Sequence, residues 1–262
     1  MANNAAILAD GKSPVIQTFA DAWTAQLFVL ADYYNVQAAE PDFATRYTNN
    51  EVKYATSPAA LAGFTKQEEV FKAGYLNPDY ASAKFEDGIR QLALGEGAHF
   101  PMLTFAVATI AEVYPENVKD VGFFALPGTD AANVGLTTWT PSGVYVNAAT
   151  AAPEAAMRFV AFMTTTEGCD LQTKAVGATG PYMVKGCTLP ADVPQVVADM
   201  LPYFAEGGKS APALEFVSPI KGPNMPQITV EVGSGIRSAA DAAAIYDEDV
   251  KKQAQQLGLP NW

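Results

Sequence analysis

The stretch LALGEGAHFPMLTF, Leu92 to Phe105, followed at Asn117 to Gly128 by NVKDVGFFALPG, decides the fold class. It reads as a helix closing on Gly95, an apolar strand from Ala98 to Leu103, and a turn that delivers Thr104 and Phe105. A second strand runs from Val121 to Leu126 and stops at Pro127-Gly128. Helices ended by glycine that give way to short apolar runs ended by Pro-Gly are the alternation of an α/β chain.

Outward from that stretch the alternation continues. Pro14 to Phe19 predicts a strand, and Asp21 is placed to cap a helix from Ala22 to Tyr34 whose Trp23, Leu27, Leu30 and Tyr34 follow a 3.6-residue stripe. Ser57-Pro58 opens a helix with Leu61, Phe64 and Phe71 inside and Gly74 as its stop, and Lys84 to Leu94 is another. Pro153 begins a helix from Glu154 to Thr164 with Ala156, Phe159, Val160 and Met163 on one face. Asp192 to Ala205 predicts a helix interrupted near Pro202 and stopped at Gly207-Gly208, and Lys209 to Met225 a loop. Ser238 caps a last helix, with Asp241 in its first turn and Ala242, Tyr246, Val250 and Leu257 buried.

A chain of 262 residues can bury a sizeable core in one or two domains. No window approaches the ~18 apolar residues of a membrane span. The net charge of −12, with only 16 Lys and Arg spread along the chain, argues against nucleic acid as a partner.

The order of these motifs resembles the second lobe of the extracellular solute-binding proteins that feed sugar ABC importers, the maltose-binding-protein-like group. The carriers are Gly95-Glu96-Gly97-Ala98 with its strand and aromatic turn, then VGFFALPG. They are joined by TPSGVYVNAATAAPEAAMRFVAFMTTTEGCDLQTKAVGATGPYMVKG (Thr140 to Gly186), similar to that family's return to its first lobe. DGKSPVIQTFADAWTAQLFVLADYYN (Asp10 to Asn35) is similar to the strand, loop and helix after the first interlobe crossing.

The resemblance implies an α/β, type II periplasmic-binding-protein-like, two-lobe architecture. Residues 3–139 would be second lobe, 140–193 a returning segment of the first lobe, and 194–262 the helical completion of the second. Met1-Ala2-Asn3-Asn4 carries no signal-peptide pattern, so the chain is expected to be a fragment. A first-lobe remnant of this size would then leave Tyr145, Phe159, Val160 and Met163 without a cover.

The same resemblance implies capture of a carbohydrate between lobes for ABC permease subunits in the membrane. The protein would be a monomer that needs no cofactor and no metal, and it would be extracellular, as a cell-surface lipoprotein or in the periplasm. A polyamine or oligopeptide ligand, or a carbohydrate-active enzyme, are the alternatives.

Catalytic patterns are thin. His99, the one histidine, falls inside a predicted strand and reads as structural. Ser142, in Pro-Ser-Gly, lacks a nucleophile elbow. Gly95-Glu96-Gly97 closes a helix instead of opening one, so it is a poor phosphate cradle. The acidic runs Glu68-Glu69 and Asp247-Glu248-Asp249 read as solvated helix faces.

Sugar sites combine aromatic platforms with carboxylates and amides. By the resemblance, Trp23 and Asp21 occupy the loop that lines the cleft, and Phe105 stands where the family carries a Trp. Trp139 precedes the Pro141-Ser142-Gly143 crossing, and Tyr182 follows Gly180-Pro181 near a cleft-facing loop. Core packing is the competing reading for each aromatic, and a helix cap is the competing reading for Asp21. Gly222-Pro223 stands where another family platform lies, which implies a ligand size or pose unlike that of maltodextrins. In an exported protein Cys169 and Cys187 can oxidise, and closing that loop is worth roughly 3 kcal/mol. Two buried thiols are the alternative.

Overall fold

The structure, a computed structural model, describes residues 2–139 and 143–262. The Thr140, Pro141 and Ser142 junction lies outside the described residues.

Two short parallel strand pairs carry the β-structure. Ser13–Val15 pairs with Gly97–His99, with Val15 opposite His99, and Val15 also bridges to Leu76. Leu136–Thr138 pairs with Ser210–Pro212. Parallel neighbours need long crossovers, here filled by helices.

The largest core is helical. The Pro58–Lys72 helix opens as its sequence predicts: Pro58 fills the first turn and the Ser57 hydroxyl accepts the Ala60 N–H at 3.1 Å. Ala239–Gln256 opens on Ser238, whose hydroxyl accepts the Asp241 N–H at 3.1 Å. Between these helices and Met225–Gly233 lie Phe64, Val232, Met225, Tyr246 and Val250. Tyr54 fills the centre, edge-on to Phe43, Tyr47, Phe64 and Tyr246, the arrangement that aromatic quadrupoles favour. Gly63 lets the Pro58–Lys72 helix press on Leu27–Leu30, because a Cβ there would meet the Val29 Cα at 2.8 Å. A smaller cluster joins Val107 to Val196, Val197 and Met200, with Val121 and Phe123 against it.

Several sequence expectations are corrected. Val121 to Leu126 is not a strand: it runs without regular structure past Gln195–Ala198 and Leu201–Phe204, where Asp199, between these helices, accepts the Phe123 N–H and the Tyr203 hydroxyl accepts the Ala125 N–H. Side chains there take the hydrogen bonds that a neighbouring strand would have taken. The strand expected over Ala98 to Leu103 is confined to Gly97–His99, and the Pro14 to Phe19 strand to Ser13–Val15. The helix expected from Ala22 to Tyr34 is broken into a 3-10 turn, Ala22–Thr24, and helices Leu27–Leu30 and Tyr33–Ala39. The Asp192 to Ala205 helix is likewise two single turns, and the Lys209 to Met225 loop contains the Ser210–Pro212 strand.

Asp247 and Asp249 are not a solvated face. Both are buried, Asp247 accepting the Tyr54 and Ala55 N–H groups and Asp249 accepting from Asn224. Leu257, placed on the buried stripe, is exposed, and Leu61 and Phe71 are only half-buried. The Pro153–Met163 helix buries no residue: Tyr145 is 92% exposed, Phe159 61% and Met163 39%.

Candidate functional site

The loop after Ser13–Val15 is stitched before it reaches Trp23. Phe19 donates its N–H to the Tyr80 carbonyl and Ala20 to that of Ala83. The Thr24 hydroxyl meets the Thr18 and Asp21 carbonyls at 3.0 Å each, closing the 3-10 turn Ala22–Thr24 that carries Trp23.

Trp23 meets two other rings, with centroids 5.8 Å from Phe85 and 6.1 Å from Phe105. Phe85 and Phe105 are 5.5 Å apart, and Phe100 sits 6.4 Å from Phe85. Each of these four pairs is tilted and none of the rings is fully buried; Phe105 is 48% exposed. Four elements supply the rings: the 3-10 turn, the start of Phe85–Ala93, the end of the Gly97–His99 strand, and the residue before Ala106–Val113. Gly88 makes the packing possible, since a Cβ there would lie 2.5 Å from the Phe100 ring.

Asp21 joins this group through a helix other than the one its sequence position suggests it would cap. It makes no side-chain cap on its own turn, and its carboxylate accepts the Phe85 N–H at 2.7 Å. The structure thus brings Asp21, Trp23 and Phe105 together and adds Phe85 and Phe100. Neither of the last two carries a site signal in the sequence, where Phe85 reads only as an apolar residue in the first turn of the Lys84 to Leu94 helix.

Trp139 and Tyr182 are placed elsewhere. Trp139 is half-buried among Leu30, Tyr33 and Tyr246, and its indole N–H donates to Glu215, which also pairs with Lys221 at 3.1 Å. The cavity beside it, about 10 Å³, has room for roughly one water. The Tyr182 hydroxyl bonds to that of Thr173, which donates in turn to the Cys169 carbonyl at 2.8 Å. Cys169 and Cys187 are joined as a disulfide with Cα atoms 6.1 Å apart. His99 donates from Nδ1 to the Pro14 carbonyl at 2.9 Å, bracing the first strand pair.

The carboxyl and phenol groups with displaced pKa values lie away from the platform. Burial pushes Asp32, Asp247 and the hydroxyls of Tyr33, Tyr47, Tyr54 and Tyr246 up, all within the helical core. Acid–base centres gather such groups in a cleft. The platform offers instead apolar ring surface beside the Asp21 carboxylate, which is bound to the Phe85 N–H. Among the described residues no cluster of three potential metal ligands occurs, and no helix is long and apolar enough to cross a membrane.

The fold is type II periplasmic-binding-protein-like. Residues 2–168 match the family of bacterial extracellular solute-binding proteins, and the chain belongs to it.

The chain is similar to a solved chitin oligosaccharide binding protein, with TM-score 0.74 and 18% identity over 97% of this chain and 63% of that one. It is similar to the binding protein RafE in complex with raffinose, with TM-score 0.71 and 20% identity over 97% of this chain and 64% of that one. A sugar transporter from Bacillus licheniformis in complex with stachyose gives 0.69 and 12%, over 96% and 64%. The chain therefore spans under two thirds of the length of these structures. No curated protein sequence matches it significantly.

Proposed function

We propose that the chain is the greater part of a substrate-binding component of a carbohydrate ABC importer, and that Trp23, Phe85 and Phe105 form the surface on which a sugar ring stacks. The observation that carries this is the tilted cluster of three partly exposed rings at 5.5 to 6.1 Å, supplied by three separate elements. Sugar C–H faces pack on such rings, and surrounding polar groups select the hydroxyls. The raffinose, stachyose and chitin oligosaccharide named with the similar structures support an oligosaccharide over other solutes.

In this reading residues 3–139 and 194–262 form one lobe and 140–193 belong to the other. Ligand bridges both lobes and stabilises the closed state, which a membrane permease reads. The protein works outside the cytoplasm, tethered as a lipoprotein or free in a periplasm, and performs no chemistry on its ligand. A polyamine is disfavoured because the Asp21 carboxylate is engaged by the Phe85 N–H and that of Asp87 by the Lys84 N–H.

The test is calorimetric titration with raffinose, stachyose and chitin oligosaccharides of the protein carrying both lobes. Trp23→Ala is expected to weaken binding of the cognate sugar by about 1 kcal/mol or more. Unchanged affinity in a folded variant would remove the platform from the site.

A further inference from the structure

We infer that Asp21 is a positioning residue: its carboxylate fastens the start of the Phe85–Ala93 helix to the Trp23 turn, so the ring platform is assembled before ligand arrives. This rests on the reading of the platform as the sugar-facing surface. The first N–H groups of a helix have no partner within it, and a side-chain acceptor at the N-cap usually supplies one. The residue there is Lys84, whose ammonium has no acceptor to offer. Asp87 reaches back to the Lys84 N–H at 2.9 Å, and the Phe85 N–H is taken by Asp21, sixty-four positions upstream, at 2.7 Å.

The bond is charge-assisted and sits at the positive end of a nine-residue helix, two reasons for a carboxylate there. Its geometric effect is specific. Asp21 lies two residues before Trp23 and bonds the backbone of Phe85, so one bond fixes the approach of these two rings, 5.8 Å apart. The backbone of Asp21 is itself held, its N–H by the Thr18 carbonyl and its carbonyl by Thr24. From the other side Phe100, lodged against Gly88, limits where the Phe85 ring can go. A surface fixed in this way loses less freedom on binding than one that must be ordered by its ligand.

The experiment compares Asp21→Ala and Asp21→Asn with wild type, in the ligand-free chain by near-UV circular dichroism and amide hydrogen exchange at Phe85, and by raffinose titration of the protein carrying both lobes. Asp21→Ala is expected to lower the aromatic band about twofold, to speed Phe85 exchange about tenfold or more, and to weaken binding about fivefold. Asp21→Asn keeps an acceptor and is expected to retain the ligand-free signature, with binding within about twofold of wild type. An unchanged signature in Asp21→Ala would overturn the inference. So would an Asp21→Asn variant with a wild-type signature but much weaker binding, because that pattern means direct contact of the carboxylate with ligand. If Asp21→Ala does not fold, Asp21→Glu, which moves the carboxylate by one methylene, is judged by the same ligand-free criterion. Failure of wild type to bind any sugar would sink the proposed function and leave the ligand-free result to decide this one.

Discussion

Asp247, in the last helix, accepts the backbone N–H of Tyr54 at 2.8 Å across 193 positions of sequence, and that of Ala55 at 2.9 Å. The pair closes the helical core: Tyr54 is the ring that four other aromatics meet edge-on, and its peptide is anchored where the chain has no regular partner.

Asp247→Ala leaves two backbone donors without acceptors, and a buried orphaned donor costs on the order of 1–3 kcal/mol. The expected loss is about 2 kcal/mol or more, read as a lower urea midpoint with unchanged slope. Asp247→Asn, which keeps one acceptor oxygen, is expected to lose less. Equal stability of Asp247→Ala and wild type would mean that solvent reaches the Tyr54 peptide.

A second buried carboxylate gives a pH dependence of definite sign. Asp32 is 1% exposed, pairs with Lys66 and accepts from Asn35 at 2.7 Å. Burial raises its pKa above the ordinary 3.8, outweighing the pull of Lys66 and Asn35 in the other direction. The folded state therefore holds this proton more tightly than the unfolded chain does. The associated stability is fully present below the unfolded value and is lost as pH rises through the folded one. Asp32→Asn has no such proton, so the stability of wild type minus that of Asp32→Asn should fall as pH is raised from about 4. Urea titrations of both proteins from acid to neutral pH check it; a difference that grows with pH would reverse the assignment.

Helix starts that carry their own chemistry were legible in the sequence. Ser57-Pro58 and Ser238 with Asp241 cap where they were expected to, and Gly95 ends its helix in a left-handed conformation, φ 65°. What the sequence hid was set by distant partners. Val121 to Leu126 has strand composition, yet its hydrogen bonds go to Asp199, at the end of one helical turn, and Tyr203, in the next, which no local pattern couples to it. Asp247 lies among charged neighbours, and only the fold shows the Tyr54 peptide waiting for it. At the platform, Trp23, Phe105 and Asp21 were named from family order, whereas Phe85 emerges because Asp21 draws its helix in.

The Pro153–Met163 helix yields a prediction about surface. Met157 and Phe159 are 59% and 61% exposed, and Tyr145 and Met183 are exposed as well. Exposed large apolar side chains bind hydrophobic dyes and promote association. Phe159→Ser with Met157→Gln should lower dye binding by this chain and raise its solubility. The folding stability should change by less than about 0.5 kcal/mol, since neither side chain is buried. A large stability loss would show that these side chains are covered in solution.

The loop from Gly177 to Gly186 hangs on two ties to one helix: the Cys169–Cys187 bond and the Tyr182–Thr173–Cys169 hydrogen-bond relay. The covalent tie closes a loop across a separation of 18, for which restricting the unfolded chain is worth about 3 kcal/mol. The relay is worth about 1 kcal/mol, the usual net value of a hydrogen bond. The purified oxidised protein should show no reactive thiol after denaturation without reductant. Cys169→Ser with Cys187→Ser should cost several times more stability than Tyr182→Phe. Because both ties hold the same loop, their effects should not add: once the disulfide is gone the loop is free to move, and Tyr182→Phe should cost less in that background than in wild type. A double-mutant cycle by urea unfolding measures this coupling, and strict additivity would mean that Tyr182 is held by something other than the loop that Cys187 closes.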